Sequence, residues 1–406
     1  MDFEVLIIGS DANAYHMARS THEAYNKKAY LIASTPLAFT KFSNILNIKY
    51  VENLWDEKVF INELNEFYEK HSDKKILLIS SNERYASYIL KHEKELSKKF
   101  YFNYPSLTIL NNFIMKDLFY NDYHNDLNLP KTYIYSCKKK NVPSNDFLYP
   151  VIVKPSDVIE YGKNKNSSWR KIYKLYSYED VLITIANIEE MGYNENILIQ
   201  EFIPGDDSAL FDCVFYCSKE KKAILSSFAQ IGLQDHNKRM IGNATVLING
   251  FNEHNDTKKV LRKLKDFMEK IGYQGFAEFD LKYDYRDKTY KVLEINARQG
   301  RSSYYLTACG YNLVKYLVDD LLVNKPLGYT EINERLLLTF VPKGIIKKYI
   351  KNEAFRNEAL SLYKEKKVVN PLFYNKDKHI KRLPFLLMMA KKSYESYKNS
   401  DWDNED

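Results

Sequence analysis

From Gly275 to Asn296 the chain reads GFAEFDLKYDYRDKTYKVLEIN, two runs of alternating apolar and polar residues on either side of Asp284-Tyr285-Arg286-Asp287. Alternation of period two is the pattern of a strand with one buried face, and the polar cluster supplies a turn. The stretch therefore predicts an antiparallel hairpin centred near residues 286–287. That centre brings Asp280 and Glu294 opposite each other. Glu278, Asp280 and Lys282 share one face of the first arm, and Glu294 and Asn296 share one face of the second. Two facing carboxylates repel. Either a divalent cation lies between them, with Asn296 adding a neutral oxygen, or they are solvated or paired with Lys282 and Arg298. Both arms are otherwise apolar, which favours a pocket over open surface.

The remaining pattern sets this hairpin in a mixed α/β and α+β chain. Near the start, Val5-Leu6-Ile7-Ile8 ends at Gly9, and a helix capped by Ser10 or Asp11 follows. KAYLIAS and KKILLIS repeat the strand signal between helical stretches, so residues 1–110 read as a Rossmann-like domain. No GxGxxG accompanies Gly9, so a dinucleotide fingerprint is absent. A helix is expected over 111–127, stopping before Pro130, then strands in YPVIVKPS and NILIQEF. A helix capped by Asp256 or Thr257 ends at Gly272, and a last helix carries Leu313, Val314, Leu317, Val318 and Leu321. Residues 341–406 are lysine-rich and aromatic without a clear strand, and read as a C-terminal extension.

Hydrophobic residues are 45% and charged residues 28% of the chain, a globular mixture able to bury a large core. The net charge of +7 suits an anionic substrate or a membrane surface and is too weak to argue for nucleic acid. Cys137, Cys213, Cys217 and Cys309 show no CxxC spacing; Cys213 and Cys217 read as buried small residues on one face of a strand, and a reducing cytoplasm is expected. The N-terminus lacks signal-peptide character, and no run reaches the length of a membrane span.

Two further stretches carry chemistry. Lys154 ends a buried strand, where its ammonium either meets phosphate or snorkels. In QEFIPGDDS, an extended chain turns at Pro204-Gly205; it either offers backbone groups to an adenine edge or is an ordinary acidic turn.

Taken in order, VIVKPS, IQEFIPGDD, GFAEFDLKYD and LEINARQG resemble the ATP-grasp carboxylate–amine ligases, and LIIGSDANAYHMARSTHEAYNK, FIPGDDS and INARQGRSS resemble the bacterial D-aspartate ligases of peptidoglycan bridge synthesis. The first resemblance implies a Rossmann-like pre-ATP-grasp domain and a two-lobed ATP-grasp domain over 111–340, with a small lobe near 130–205 and a large lobe near 206–340. It implies ATP and Mg2+: Lys116 and Lys154 on phosphates, Gln200, Glu201 and the backbone near Ile203 around adenine, Asp207 on ribose, Asp280, Glu294 and Asn296 on the metal, Arg298 beside the transferred phosphate. The second implies D-aspartate, activated at its β-carboxylate and joined to a lysine of a cell-wall stem peptide. Arg298 and Arg301 would then answer two carboxylates, with Arg301 both catalytic and substrate-binding, and Ser302, Ser303, Ser10, Asn13 and Arg19 completing the substrate pocket. The expected phosphate-covering loop has only Gly162 and the weak candidates Ser167 and Ser168. Lys238 and Arg239 fall where a mobile loop is expected, or are simply solvated. The tail KDKHIKRLPFLLMMAKKSYESYK is either a packed helix or a peripheral contact with the inner face of a membrane. A nucleotide-binding module without chemistry, and a ligase for another amino acid, are the competing readings.

Overall fold

The computed structural model describes residues 2–164, 169–236, 240, 242–254 and 257–398. Asp256, Ser167, Ser168, Lys238 and Arg239 lie outside the described residues.

The first unit is a parallel sheet. β1 (Phe3–Ile8), β2 (Ala29–Ala33), β3 (Leu46–Tyr50) and β4 (Lys75–Ser80) run in the order β3-β2-β1-β4. β1 and β4 are apolar runs because helices cover both faces. β3 escapes the sequence pattern because it is a largely exposed edge strand. The connecting helices are α1 (Ala12–Tyr25), α2 (Glu57–His71), α3 (Glu83–Lys91) and the single turn α4 (Glu93–Leu96). Asp11, not Ser10, caps α1 by accepting from Ala14 N–H at 2.9 Å. Gly9 has φ +116°, and a Cβ there would meet Ser81 Oγ at 2.0 Å, so β1 ends against the chain leaving β4 only with glycine.

The helix expected over 111–127 is two helices, α5 (Leu107–Ile114) and α6 (Lys116–Tyr123). Met115 separates them with an extended ψ of 107°. The break puts Lys116 at the first turn of α6, facing the hairpin. Next comes an antiparallel sheet of β5 (Thr132–Ser136), β6 (Val151–Pro155), β7 (Tyr173–Leu175) and β8 (Asn196–Glu201), ordered β5-β8-β6-β7, with α7 (Val158–Tyr161) and α8 (Tyr178–Glu190).

The large lobe holds β9 (Leu210–Cys217), β10 (Ala223–Ser227), β11 (Ala229–Gln234), β12 (Ala244–Asn249), α9 (Thr257–Lys270), β13 (Gly275–Asp284), β14 (Thr289–Asn296), α10 (Tyr304–Ala308), α11 (Leu313–Leu317), β15 (Thr330–Ile332) and β16 (Leu336–Thr339). A π-helical turn over Val318–Val323 continues α11. The tail adds α12 (Lys343–Tyr349), α13 (Glu353–Lys364), β17 (Val368–Val369) and α14 (Arg382–Lys398). The central path of the nine-stranded sheet is β14-β13-β9-β11-β12-β16-β17.

β17 corrects the expectation of a tail without strands: it pairs in parallel with β16. Nor is the tail an appendage. Phe355 of α13 is fully buried with Leu233, Val246 and Ile248 of the sheet. Its ring packs so close over β11 that a Cβ on Gly232 would lie 2.0 Å from it. Phe355→Ala should therefore destabilise the large lobe by about 3 kcal/mol or more, measured as a lowered midpoint in urea unfolding; an unchanged midpoint would mean that the tail is not part of this core.

Candidate active site

β13 and β14 pair regularly from Asp284 opposite Thr289 to Leu281 opposite Val292; a bulge at Leu293 then shifts the register by one residue and brings the expected pair together, with Asp280 opposite Glu294 and Glu278 opposite Asn296. β9 lies on the other side of β13 and places Asp212 opposite Asp280. One face of three adjacent strands thus carries Asp212, Glu278, Asp280, Glu294 and Asn296. Asp212 escapes sequence reading because LFDCVFYC looks like uninterrupted core.

These acids are not equivalent. Lys116 Nζ lies 2.6 Å from Glu294 Oε2 and, with Lys171 and Lys154, holds the Glu294 carboxyl well below the usual range against the effect of burial. Asp280 is pushed the other way, by burial first and then by Glu294 and Glu278. Asn296 Nδ2 donates to Asp280 at 3.2 Å. Asp212 is raised by burial and by Glu278. The Ser302 hydroxyl contacts the carboxylates of both Asp212 and Glu278, the latter at 2.6 Å. One hydroxyl has one proton, so this triad is satisfied when Asp212 carries a proton of its own. Among the described residues no three His, Cys, Asp or Glu side chains form a ready-made metal cage.

Facing the acids across a cleft of about 190 Å³ are Lys116, Lys154 and Lys171. Lys154 Nζ donates to Gln200 Oε1 at 3.1 Å and lies 5.2 Å from the centroid of the Tyr120 ring. Burial, then repulsion from Lys116, lowers its pKa to about 7. Lys171, a residue that sequence reading missed, lines the cleft from the segment before β7. Three lysines converging on two carboxylates form a surface matched to a polyanion bridged by a cation.

Past Gln200 the cleft is walled by Phe202 and Ile203, the latter two residues beyond the end of β8 where the ladder has stopped. Glu201 also lines it, but its carboxylate accepts from Lys131 N–H at 2.7 Å and pairs with Arg286 at 2.8 Å, tying the small lobe to the hairpin turn. Asp207 accepts from Gln234 N–H at 2.8 Å and lines a smaller extension of the cleft.

Arg298 sits between domains. Its Nε is 2.9 Å from Glu83 of α3 and its Nη1 is 3.7 Å from Glu278; burial opposes the charge, but these acids hold the pKa above the ordinary arginine value. Gly300 makes the turn fit, since a Cβ there would meet Glu278 Oε1 at 1.7 Å. Ser303 Oγ accepts from Gly300 N–H at 2.7 Å, and His16 Nε2 meets Gly300 O at 2.8 Å. Burial lowers the His16 pKa to about 4, so it serves as a neutral donor.

Three residues expected to close a substrate pocket do other work. Ser10 Oγ donates to Thr35 O at 2.7 Å. Asn13 Nδ2 donates to Ser81 O at 2.9 Å and Gln299 O at 2.7 Å, bracing the Arg298 loop from behind. Arg19 donates to the carbonyls of Asn370, Pro371 and Phe373, fastening the tail to α1. Their partners lie far along the chain, so the local sequence did not reveal them.

No protein-family model matches the chain. The D-aspartate ligase of Enterococcus faecium (strain Aus0004) is 35% identical to it over 405 residues, covering 95% of this chain and 93% of that protein. The chain belongs to the D-aspartate ligase family of ATP-grasp carboxylate–amine ligases. Solved structures share its fold at low identity. The L-amino acid ligase of Bacillus licheniformis superposes with a TM-score of 0.58 at 15% identity, covering 80% of this chain and 75% of that one. The N5-carboxyaminoimidazole synthetase of Staphylococcus aureus, solved with ADP, gives 0.58 at 13% identity, covering 83% and 82%. The protein is thus an ATP-dependent carboxylate–amine ligase with a Rossmann-like domain followed by the two ATP-grasp lobes.

Proposed function

We propose that this ligase phosphorylates the β-carboxylate of D-aspartate with ATP and joins it to the side-chain amine of a lysine in a peptidoglycan precursor stem peptide. The observation that carries the reading is the near full-length identity to a D-aspartate ligase. The cleft supports the ATP half of it. Lys116, Lys154 and Lys171 would contact the phosphates, the backbone at Ile203 with Gln200 would face the adenine, and Asp207 would lie toward the ribose. The donor set also fits magnesium: Asp280 and Glu294 face each other with Asn296 on the same side of the hairpin, and Glu294 is held ionised. When bound, magnesium supplies charge neutralisation to the phosphates.

In the reaction a β-carboxylate oxygen attacks the γ-phosphorus and the bond to ADP breaks. Arg298 lies beside the transferred phosphate and answers its charge. The unprotonated lysine amine then attacks the acyl carbon, phosphate leaves with the electron pair of the C–O bond, and the amine gives up a proton to solvent. Catalysis is positioning plus preorganised charge. The test is ADP release with a panel of D- and L-amino acids in the presence of a lysine-containing stem peptide. D-aspartate should be the donor; release with D-alanine or L-aspartate but not D-aspartate would leave only the broader ligase class.

The last helix bears on where the enzyme works. No helix among the described residues is long and apolar enough to cross a membrane. The outer side of α14, however, exposes Leu383 (52%), Leu387 (57%) and Met388 (42%) beside Lys381, Lys391 and Lys392. An apolar stripe edged with lysine matches an anionic membrane surface. The protein should sediment with phosphatidylglycerol vesicles at low salt and be released by salt or by Leu383→Ser/Leu387→Ser; staying in the supernatant at low salt would rule this contact out.

A further inference from the structure

The cleft that would take ATP continues past its lysines into a second, larger cavity. Lys116, Lys171 and Glu294 line both spaces. Lys154, Gln200, Phe202 and Ile203 line only the cleft, and Asn82, Arg84 and Asp157 line only the cavity. The order along the molecule is therefore an adenine end, the phosphate lysines, and then the cavity. At about 430 Å³ against about 190 Å³, the cavity is the roomier of the two. Displacement at phosphorus runs in line, with the attacking oxygen on the side away from the leaving ADP. The carboxylate that attacks must approach from this cavity.

Neither arginine of the Gly300 turn lines it. Arg298 is engaged by Glu83 and Glu278. Arg301, expected to answer a donor carboxylate, instead lies 4.4 Å from the centroid of the Phe340 ring, in a space that shares no lining residue with the cleft or the cavity among the described residues. The cation of the cavity is Arg84, which sequence reading missed. It stands in the first turn of α3, is exposed, and has no ion pair or hydrogen bond among the described residues. On the small-lobe side, Asp157 Oδ1 accepts from Ile159 N–H and Glu160 N–H, both at 2.9 Å, and so caps α7. Its other oxygen accepts no hydrogen bond among the described residues. The cavity thus presents one unanswered guanidinium and one half-used carboxylate, beside the lysines and the acid pair.

We infer that this cavity seats the donor amino acid, with Arg84 binding its α-carboxylate and Asp157 its α-ammonium, so that the side-chain carboxylate is the one turned toward the phosphate lysines. The inference rests on the proposed D-aspartate reading for the identity of the donor, and deepens it by saying what selects one carboxylate over the other. A guanidinium takes a carboxylate in two parallel hydrogen bonds, and a carboxylate oxygen accepts from an ammonium. Both charges of the amino-acid head group are matched in this way, and the third charge of the donor faces Lys116 and Lys171. The seat is shared between domains, since Arg84 comes from the Rossmann-like domain and Asp157 from the small lobe. The acceptor lysine is a poorer occupant, because its side-chain amine finds no partner in Arg84.

The test is direct binding to the full chain, read by titration calorimetry with magnesium and a non-hydrolysable ATP analogue present. Three ligands separate the contacts: D-aspartate, β-alanine, which lacks its α-carboxylate, and succinate, which lacks its amine. The wild-type protein should bind D-aspartate roughly ten- to a hundredfold more tightly than either, the usual worth of a hydrogen bond to a charged group. Arg84→Met should erase the preference over β-alanine and keep that over succinate. Asp157→Asn, which retains a capping side chain for α7, should do the reverse. Arg84→Lys should recover part of the first loss. Affinity for the nucleotide analogue should be unchanged in all three variants, as the control for folding. Undiminished D-aspartate affinity in either Arg84→Met or Asp157→Asn would overturn the inference, and so would equal binding of D-aspartate and β-alanine by the wild type. A loss confined to KM for the acceptor peptide would overturn it too and assign the cavity to the other substrate. ADP release assayed alongside keeps the two readings apart. Arg84-dependent binding of D-aspartate without turnover would sink the D-aspartate reading and leave the subsite standing; turnover of D-aspartate with a KM untouched by Arg84→Met would sink the subsite alone.

Discussion

Asp280→Asn and Glu294→Gln will each cut turnover by a hundredfold at least, and on the order of a thousandfold, yet they will move stability in opposite directions. Both remove a charge from the face that is proposed to hold magnesium against the phosphates. In the ligand-free protein their surroundings differ. Asp280 is half-buried beside Glu294, Glu278 and Asp212, all acids, so its charge is opposed before any metal arrives. A neutral side chain of the same shape relieves that repulsion, and Asp280→Asn should unfold at the same denaturant concentration as wild type or a higher one. Glu294 is the counter-ion of Lys116, at 2.6 Å. Glu294→Gln strips a partly buried ammonium of its partner and should cost roughly 2 kcal/mol. Steady-state ADP release with saturating magnesium, together with urea unfolding, checks both halves. Near-normal turnover in either variant would remove that residue from the metal site.

Lys154→Met should be more stable than wild type and nearly inactive. A lysine whose pKa burial has lowered to about 7 opposes folding whenever it is charged. Below pH 7 the side chain is protonated in both the folded and unfolded chain, and the full penalty is present. As pH rises from about 7 toward 10.5 the folded protein releases the proton first, so stability increases over that window. Removing the amine removes the penalty, which should gain a few kcal/mol at pH 7 and flatten that rise. ATP binding runs the other way. Phosphate favours the charged lysine, so binding takes up a proton near neutral pH and affinity falls as pH climbs above 7. Calorimetry in buffers of different ionisation heat should detect this uptake in the wild type and lose it in Lys154→Met. A variant that is destabilised, or that binds ATP with wild-type affinity, would return Lys154 to a purely structural role.

How much of this was legible beforehand depends on the range of the physics. The hairpin and its turn were, because alternation on both arms and a polar turn leave one pairing near the turn that buries the apolar face; the bulge at Leu293 that sets Asp280 opposite Glu294 was not. The helix ends near Met115 were not: the break there is settled by where Lys116 must reach across the fold, and the local apolar spacing runs straight through it. Asp212 was hidden because its purpose comes from Asp280, Glu278 and Ser302, all far along the chain. Arg19 was misplaced for the same reason, its three carbonyl partners lying near residue 370. The two arginines of the Gly300 turn look alike in sequence. Only their distant neighbours tell them apart: Glu83, presented by α3 of the other domain, lies beside Arg298, and the Phe340 ring lies under Arg301. The tail's role was concealed too, since Phe355 and Tyr397 disclose their packing only against β11 and Gln234.

The central claim is that a side-chain carboxylate of D-aspartate becomes an acyl phosphate in the cleft between the lysines and the acid face. Its most direct test follows one oxygen atom. D-aspartate carrying heavy oxygen only in its β-carboxylate is incubated with the enzyme, ATP, magnesium and the lysine-containing peptide, and the released phosphate is weighed by mass spectrometry. The account predicts that a single heavy oxygen passes from the amino acid into each phosphate formed. Unlabelled phosphate accompanying authentic amide product would contradict it.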